Sequence, residues 1–164
     1  TAMLAMSDAL AVVVAERRGF KERDFALFHP GGQLGKRLLL RVRDLMRTGE
    51  ANPVVPQSAR VKDVLLAITK ARAGCASIVD GRGRLVGIFT DGDLRRHLET
   101  TPNLADTKVR DVMTKAPKAI PSDRLAAEAL RVLREYKIDE LVIVDGRHRP
   151  IGLLDVQDLL KAGF

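Results

Sequence analysis

Apolar and polar positions along this chain switch between two periods in a fixed order. An extended segment ending in proline, Val54-Val55-Pro56, comes first. Val61, Val64, Leu65 and Ile68 follow at a spacing that predicts a helix. A strand is predicted over Ala76 to Val79, then a turn at Asp80-Gly81-Arg82-Gly83, then a strand over Leu85 to Phe89. A helix from Asp91 to Leu98 closes the unit. The same order then returns. Ala119-Ile120-Pro121 precedes Ser122, a suitable N-cap, and a helical set of Leu125, Ala129, Leu130, Val132 and Leu133. Strands over Leu141 to Val144 and Pro150 to Leu154 flank the turn Asp145-Gly146-Arg147-His148, and a helix runs from Asp155 to Ala162. Each Asp-Gly pair predicts a tight hairpin with positive φ at both central residues. Each unit therefore reads β-α-β-β-α, entered through a short helical Val-Arg-Asp segment.

The two units are copies. Val42-Arg43-Asp44-Leu45-Met46 recurs as Val109-Arg110-Asp111-Val112-Met113, at an offset of 67. Ile78-Val79-Asp80-Gly81-Arg82 recurs as Ile143-Val144-Asp145-Gly146-Arg147, at an offset of 65. Gly87-Ile88-Phe89-Thr90-Asp91-Gly92-Asp93-Leu94 is matched by residues 152–159 at the same offset of 65. The two surplus residues of the first copy fall in Arg47 to Asn52, a polar stretch where a loop absorbs insertion at little cost. A unit of this size is marginal alone, so the pair is expected to fold as one α/β (α+β) module with pseudo-symmetry. A cleft near the duplication axis follows from that symmetry. Three segments result: residues 1–41, which have no counterpart in the duplication, a first repeat over 42–108 and a second over 109–164.

Composition narrows the classes of function. Of 164 residues, 46% are hydrophobic and 30% charged, a soluble globular profile. The longest uncharged apolar run, Ala9 to Ala15, is far short of the roughly 20 residues a membrane span needs. No secretory leader opens the chain, and a cytoplasmic location is expected. The first residue is Thr1, which points to a piece of a longer protein. The formal net charge of +7 is spread as +3, +3 and +1 over the three segments. With Trp absent and Tyr136 the only tyrosine, a nucleic-acid-binding face is not expected. A single cysteine, Cys75, leaves no disulfide framework and reads as a small buried apolar residue.

The order of elements, with the Gly-Ile-Phe-Thr-Asp-Gly-Asp-Leu block, resembles a tandem CBS pair, or Bateman module. The resemblance covers residues 42–163 and implies a regulatory sensor of adenine or other nucleotides. Thr90 and Asp93 lie at a strand exit and the first turn of a helix. A carboxylate there can accept two hydrogen bonds from vicinal ribose hydroxyls, and a threonine hydroxyl can reach a sugar or phosphate oxygen. By the resemblance, Thr90 and Asp93 match the family's nucleotide-contacting residues, with Arg95 beside them. The alternative is that Thr90, Asp91 and Asp93 only cap a helix. In the second copy Asp155 replaces the threonine and Asp158 keeps the carboxylate, while Arg95 and Arg96 become Leu160 and Lys161. Two carboxylates repel phosphate, so unequal sites are expected, the first better suited to a phosphorylated ligand. Arg82, Arg84, Arg147 and Arg149 read as solvated hairpin tips, and His97 and His148 as surface residues. No metal site is expected, because Asp91-Gly92-Asp93 lacks the other oxygen ligands of Ca²⁺.

Residues 1–41 are of another kind. Ala2 to Arg18 predicts an alanine-rich helix stopped by Gly19. His29-Pro30-Gly31-Gly32-x-Leu34-Gly35, followed by Leu38 to Val42, resembles the end of the sugar-isomerase (SIS) domain of arabinose-5-phosphate isomerases, which place a SIS domain before a CBS pair. That resemblance implies D-arabinose 5-phosphate/D-ribulose 5-phosphate interconversion in lipopolysaccharide biosynthesis, with His29 at the active site of the intact enzyme. A lone histidine cannot hold a sugar phosphate in reactive geometry, so this chain is expected to be inactive alone. The expected partners are a nucleotide or sugar-nucleotide effector (an adenine nucleotide or a CMP-sugar), the SIS domain of the same chain, and further CBS pairs through self-association. No cofactor is required. The competing readings are a ligand-free oligomerisation scaffold of the same enzyme, or a CBS sensor from another protein.

Overall fold

The computed structural model describes residues 2–20, 24 and 39–164. Helix α1 spans Ala2–Arg17, and Gly19 past its end takes φ +61°. It buries none of its residues, leaving Met3, Leu4, Met6 and Leu10 in solvent.

The first repeat runs β1 (Val54–Pro56), α2 (Val61–Ala71), β2 (Cys75–Val79), β3 (Leu85–Thr90) and α3 (Asp91–Leu98). A two-residue strand β4 (Thr114–Lys115) closes its sheet in the order β1-β2-β3-β4. The second runs β5 (Ala119–Pro121), α4 (Ala126–Tyr136), β6 (Glu140–Val144), β7 (Pro150–Asp155) and α5 (Val156–Lys161), with sheet order β5-β6-β7. In each sheet the first pair is parallel, joined across a helix, and the second is an antiparallel hairpin. Helix α2 forms because Val61, Val64, Ile68 and Ala71 recur at helical spacing and are buried together. It ends where Arg72 takes φ +51°, as α4 ends at Lys137 with φ +52°.

Two local expectations need correction. Ser122 does not cap α4: Leu125 holds the N-cap position, and the Ser122 carbonyl accepts from Arg43 N at 2.9 Å. The hairpins are not turned by positive φ at both central residues either. Gly83 (φ +75°) and His148 (φ +61°) alone take the left-handed conformation in these turns. In both, the Asp carboxylate folds the turn: Asp80 Oδ1 accepts from the amides of Arg82 and Arg84, and Asp145 Oδ1 from those of Arg147 and Arg149. Those bonds hold both aspartates below the usual carboxylate range. The hairpin register shifts in both repeats, between Ile78 and Val79 and between Ile143 and Val144.

Three apolar clusters hold the module. The sheets face one another through Cys75, Leu85, Ile88, Val142, Val144 and Leu153. Each repeat also packs its own helices, and here the lead-ins exchange. Val42 is buried among Ile120, Ala129, Leu133 and Leu159 of the second repeat. Val109 and Val112 are buried among Val61, Val64 and Phe89 of the first. Backbone bonds fix the exchange: Val42 N to Arg124 O at 2.9 Å, and Val109 N to Ala59 O at 2.8 Å. The methionine closing each lead-in lies over a glycine of the opposite sheet. A Cβ on Gly152 would sit 2.7 Å from Met46 Sδ, and one on Gly87 would strike Met113. Each repeat is thus completed by the lead-in of the other.

Candidate functional site

The exchange of lead-ins builds the site. Strand β4 brings Thr114 alongside Ile88 in β3, next to the start of α3. Thr90 is the N-cap of α3, and its hydroxyl accepts from Asp93 N at 3.2 Å. In return, Asp93 Oδ2 accepts from Thr90 N and from Thr90 Oγ1, each at 2.9 Å. Asp93 Oδ1 accepts from Thr114 Oγ1 at 2.7 Å and from the Arg96 guanidinium. The cap anticipated for this helix is therefore present, but it uses only one carboxylate oxygen. The other meets Thr114 and Arg96, neither of which capping requires. Asp93 is only 2% exposed, whereas the Arg96 side chain is 64% exposed.

Thr90, Arg96 and Thr114 all line a cleft of about 580 Å³ between the repeats. The first repeat adds Gly74, Ile88, Asp91, Gly92 and Arg95, and the second Tyr136 to Glu140. Ala116, Pro117 and Lys118 of the connecting segment complete it, with Lys118 Nζ 4.0 Å above the Tyr136 ring. Arg95, Arg96, Lys118 and Lys137 give one side cationic character, and Tyr136 offers a face on which a planar base can stack. Asp91, Asp139 and Glu140 are the acids of the lining. Burial pushes the Glu140 carboxyl up to about 7, with Asp155, Asp139 and Asp91 adding to the effect and Arg47 opposing it. Burial likewise raises the neighbouring Cys75 thiol well above its usual range, so it is no nucleophile.

The equivalent position of the second repeat is filled differently. Asp155 is the N-cap of α5, its Oδ1 accepting from Gln157 N at 2.7 Å. Asp158 Oδ2 accepts from Asp155 N at 3.2 Å. The two carboxylates whose repulsion of phosphate was expected from sequence share an internal cation. Arg47 Nε donates to Asp158 Oδ2 at 2.8 Å, and Arg47 Nη2 to Asp158 Oδ1 at 3.1 Å and Asp155 Oδ2 at 3.3 Å.

The structure thus brings Thr90 and Arg95 to the wall of one open cleft, with Asp93 buried behind Thr90, Thr114 and Arg96, and Asp155 and Asp158 to a second position held by Arg47. His29 lies outside the described residues. His97 pairs only locally, its Nδ1 3.4 Å from Thr101 Oγ1. Thr114, Arg47, Lys118, Tyr136 and Glu140 were not singled out from sequence. The offset of 67 that aligns Met46 with Met113 also aligns Arg47 with Thr114, and that signal was there to be read.

Comparison with known proteins fits this geometry. The CBS domain family matches residues 42–100 and 109–164. The chain belongs to the CBS-domain family. The whole chain is 44% identical over 163 residues to the arabinose 5-phosphate isomerase KdsD of Pseudomonas aeruginosa, the match covering 99% of the chain and 50% of that enzyme. The match to KdsD of Escherichia coli is also 44%, so the chain spans about half the length of the curated relatives it matches. Among solved structures, CBSX2 in complex with AMP is 26% identical with a TM-score of 0.63, over 75% of this chain and 95% of that one. The CBS pair of MJ0100, solved with 5′-methylthioadenosine and S-adenosyl-L-methionine, superposes with a TM-score of 0.66 at 20% identity, over 74% of this chain and 93% of that one. At that identity it speaks to the fold alone. No helix of the described residues is long and apolar enough to cross a membrane.

Proposed function

We propose that this CBS pair is a nucleotide sensor and that its ligand enters the cleft beside Thr90, Thr114 and Asp93. The observation that carries the reading is Asp93: a buried carboxylate directly behind the cleft wall, one oxygen of which is held by Thr114 and Arg96, both of which line the cleft. A ribose can take that oxygen by displacing Arg96, whose exposed side chain is long enough to turn toward a phosphate instead. The exchange leaves every charge partnered. Arg95 and Lys118 add phosphate donors, and Tyr136 stacks the base. The relative solved in complex with AMP supports an adenine nucleotide, with a CMP-sugar as the alternative. No other cofactor is needed.

Similarity over the whole chain to KdsD supports a place in a cytoplasmic sugar-phosphate isomerase acting on D-arabinose 5-phosphate and D-ribulose 5-phosphate. On this reading residues 1–41 are the end of the SIS domain and His29 serves its active site. Helix α1, with its apolar side chains in solvent, then packs within that domain. The ligand acts by preferring one arrangement of the two parts.

Calorimetric titration with AMP and CMP tests the sensor. Charge-assisted bonds to Asp93 are each worth about 1.5–3 kcal/mol. Asp93→Asn should therefore weaken binding by about 10- to 150-fold. Unchanged affinity in Asp93→Asn would refute this seat. No binding by the wild-type chain would favour the scaffold, a self-associating role that a mass measurement in solution reads directly.

A further inference from the structure

The two repeats treat the same carboxylate in opposite ways. In the first, the residue from the opposite lead-in is Thr114, a neutral donor to Asp93, and the cation is Arg96 from the same helix. Arg96 is largely in solvent and free to leave. In the second, the residue from the opposite lead-in is Arg47, and it supplies donor and cation at once. Arg47 is not free to leave. Its backbone is laddered to Leu153 on both sides, N to O at 2.8 Å and O from N at 3.0 Å. Met46 beside it is packed over Gly152, and Arg47 Nη1 reaches the Arg72 carbonyl at 3.4 Å. Its side chain is only 22% exposed, and Asp158 and Asp155 at 16% and 20%. The guanidinium spans both oxygens of Asp158, including Oδ1, the counterpart of the Asp93 oxygen assigned to the ribose.

We propose that Arg47 is a built-in occupant of the second repeat's ribose position, closing it to nucleotide and making this CBS pair a single-site module. The inference rests on the reading that Asp93 takes a ribose, because it assigns the equivalent carboxylate an internal partner instead. It also accounts for the second acid. Where the first repeat has Thr90, the second has Asp155, which adds negative charge to hold the same guanidinium. Arg47 and Asp155 are thus one paired change from the Thr114 and Thr90 of the open site.

The test is stoichiometry. AMP is titrated into the full chain by calorimetry for wild type, Arg47→Thr, and Arg47→Thr with Asp155→Thr. The double variant gives the second position the two threonines of the first. One AMP per chain is expected in wild type and two in the double variant, the added site being lost again on Asp158→Asn. A measurement that needs no change at Arg47 runs beside it: Asp93→Asn in the wild-type background should leave only the one site, weakened by about 10- to 150-fold. Two sites in wild type, a second site of undiminished affinity beside the weakened one in Asp93→Asn, or one site in a folded double variant would each overturn the occlusion while leaving the nucleotide reading in place. No AMP bound by any of these proteins would overturn the nucleotide reading and the occlusion with it.

Discussion

Truncating Asp93 to alanine tests the network behind the cleft without any ligand. The change removes the acceptor for Thr90 N, Thr90 Oγ1, Thr114 Oγ1 and Arg96 together. The exposed Arg96 returns to water and adds little. The Thr90 amide loses half of a capping box, worth about 0.5–2 kcal/mol. Thr114 is itself exposed at the cleft, so its hydroxyl turns to water and the loss is that of an ordinary hydrogen bond, about 0.5–1.5 kcal/mol. The net loss is roughly 1.5–3 kcal/mol. At about 2–4 °C per kcal/mol for a chain of this size, the melting temperature should fall by about 3–12 °C. Asp93→Asn keeps the volume. Its amide oxygen still accepts from Thr90 N and its amide nitrogen can donate to Thr114 Oγ1, so the loss should be near 1 kcal/mol, or about 2–4 °C. Thermal unfolding by circular dichroism at neutral pH reads both. An alanine variant melting within a degree or two of wild type, or an asparagine variant as unstable as alanine, would refute this account of the network. The contrast also makes asparagine the right probe of binding, because alanine confounds lost affinity with lost fold.

Glu140 sets a pH dependence. Its carboxyl rises from 4.5 to about 7 on folding, so between those values the folded chain holds a proton that the unfolded chain has released, and stability falls as pH rises through that window. Solvent at the partly exposed group trims the full effect to roughly 1–2 kcal/mol. Glu140→Gln should match wild type near pH 4 and exceed it above pH 7 in chemical denaturation; equal gains at both pH values would contradict the assignment. His148→Gly, which copies Gly83 into the second hairpin, should raise stability by about 0.5–1 kcal/mol by relieving a left-handed φ, and a lower melting temperature would refute the turn assignment. Ser77 buries a hydroxyl with no partner where the second repeat carries Val142. Ser77→Ala should stabilise by about 1 kcal/mol, and a loss would mean that the hydroxyl is bonded.

The duplication was legible because apolar period, Asp-Gly turns and offset all agree, and each predicted helix and strand core forms within a residue or two. Thr90 and Asp93 were legible because strand exit and helix start are local features. What was hidden is non-local. Nothing in Val42-Arg43-Asp44 says that this segment will pack on the far repeat, since the same motif opens both copies. Arg47 meets Asp158 across 111 residues of chain, from within the stretch where the two copies differ in length. The turns misled for a different reason. Asp-Gly suits a two-residue hairpin, but here the Asp carboxylate gathers two amides and moves the left-handed position on to Gly83 or His148. Histidine at that position carries no sequence signature of a turn.

The most direct test of the central claim is a crystal structure of the full chain grown with AMP. The account predicts one nucleotide per chain, its ribose hydroxyls on Asp93, Arg96 turned away to the phosphate, and Arg47 still seated on Asp155 and Asp158. A nucleotide bound at Asp158 with Arg47 displaced, or a first-repeat cleft that stays empty at millimolar AMP, would contradict it.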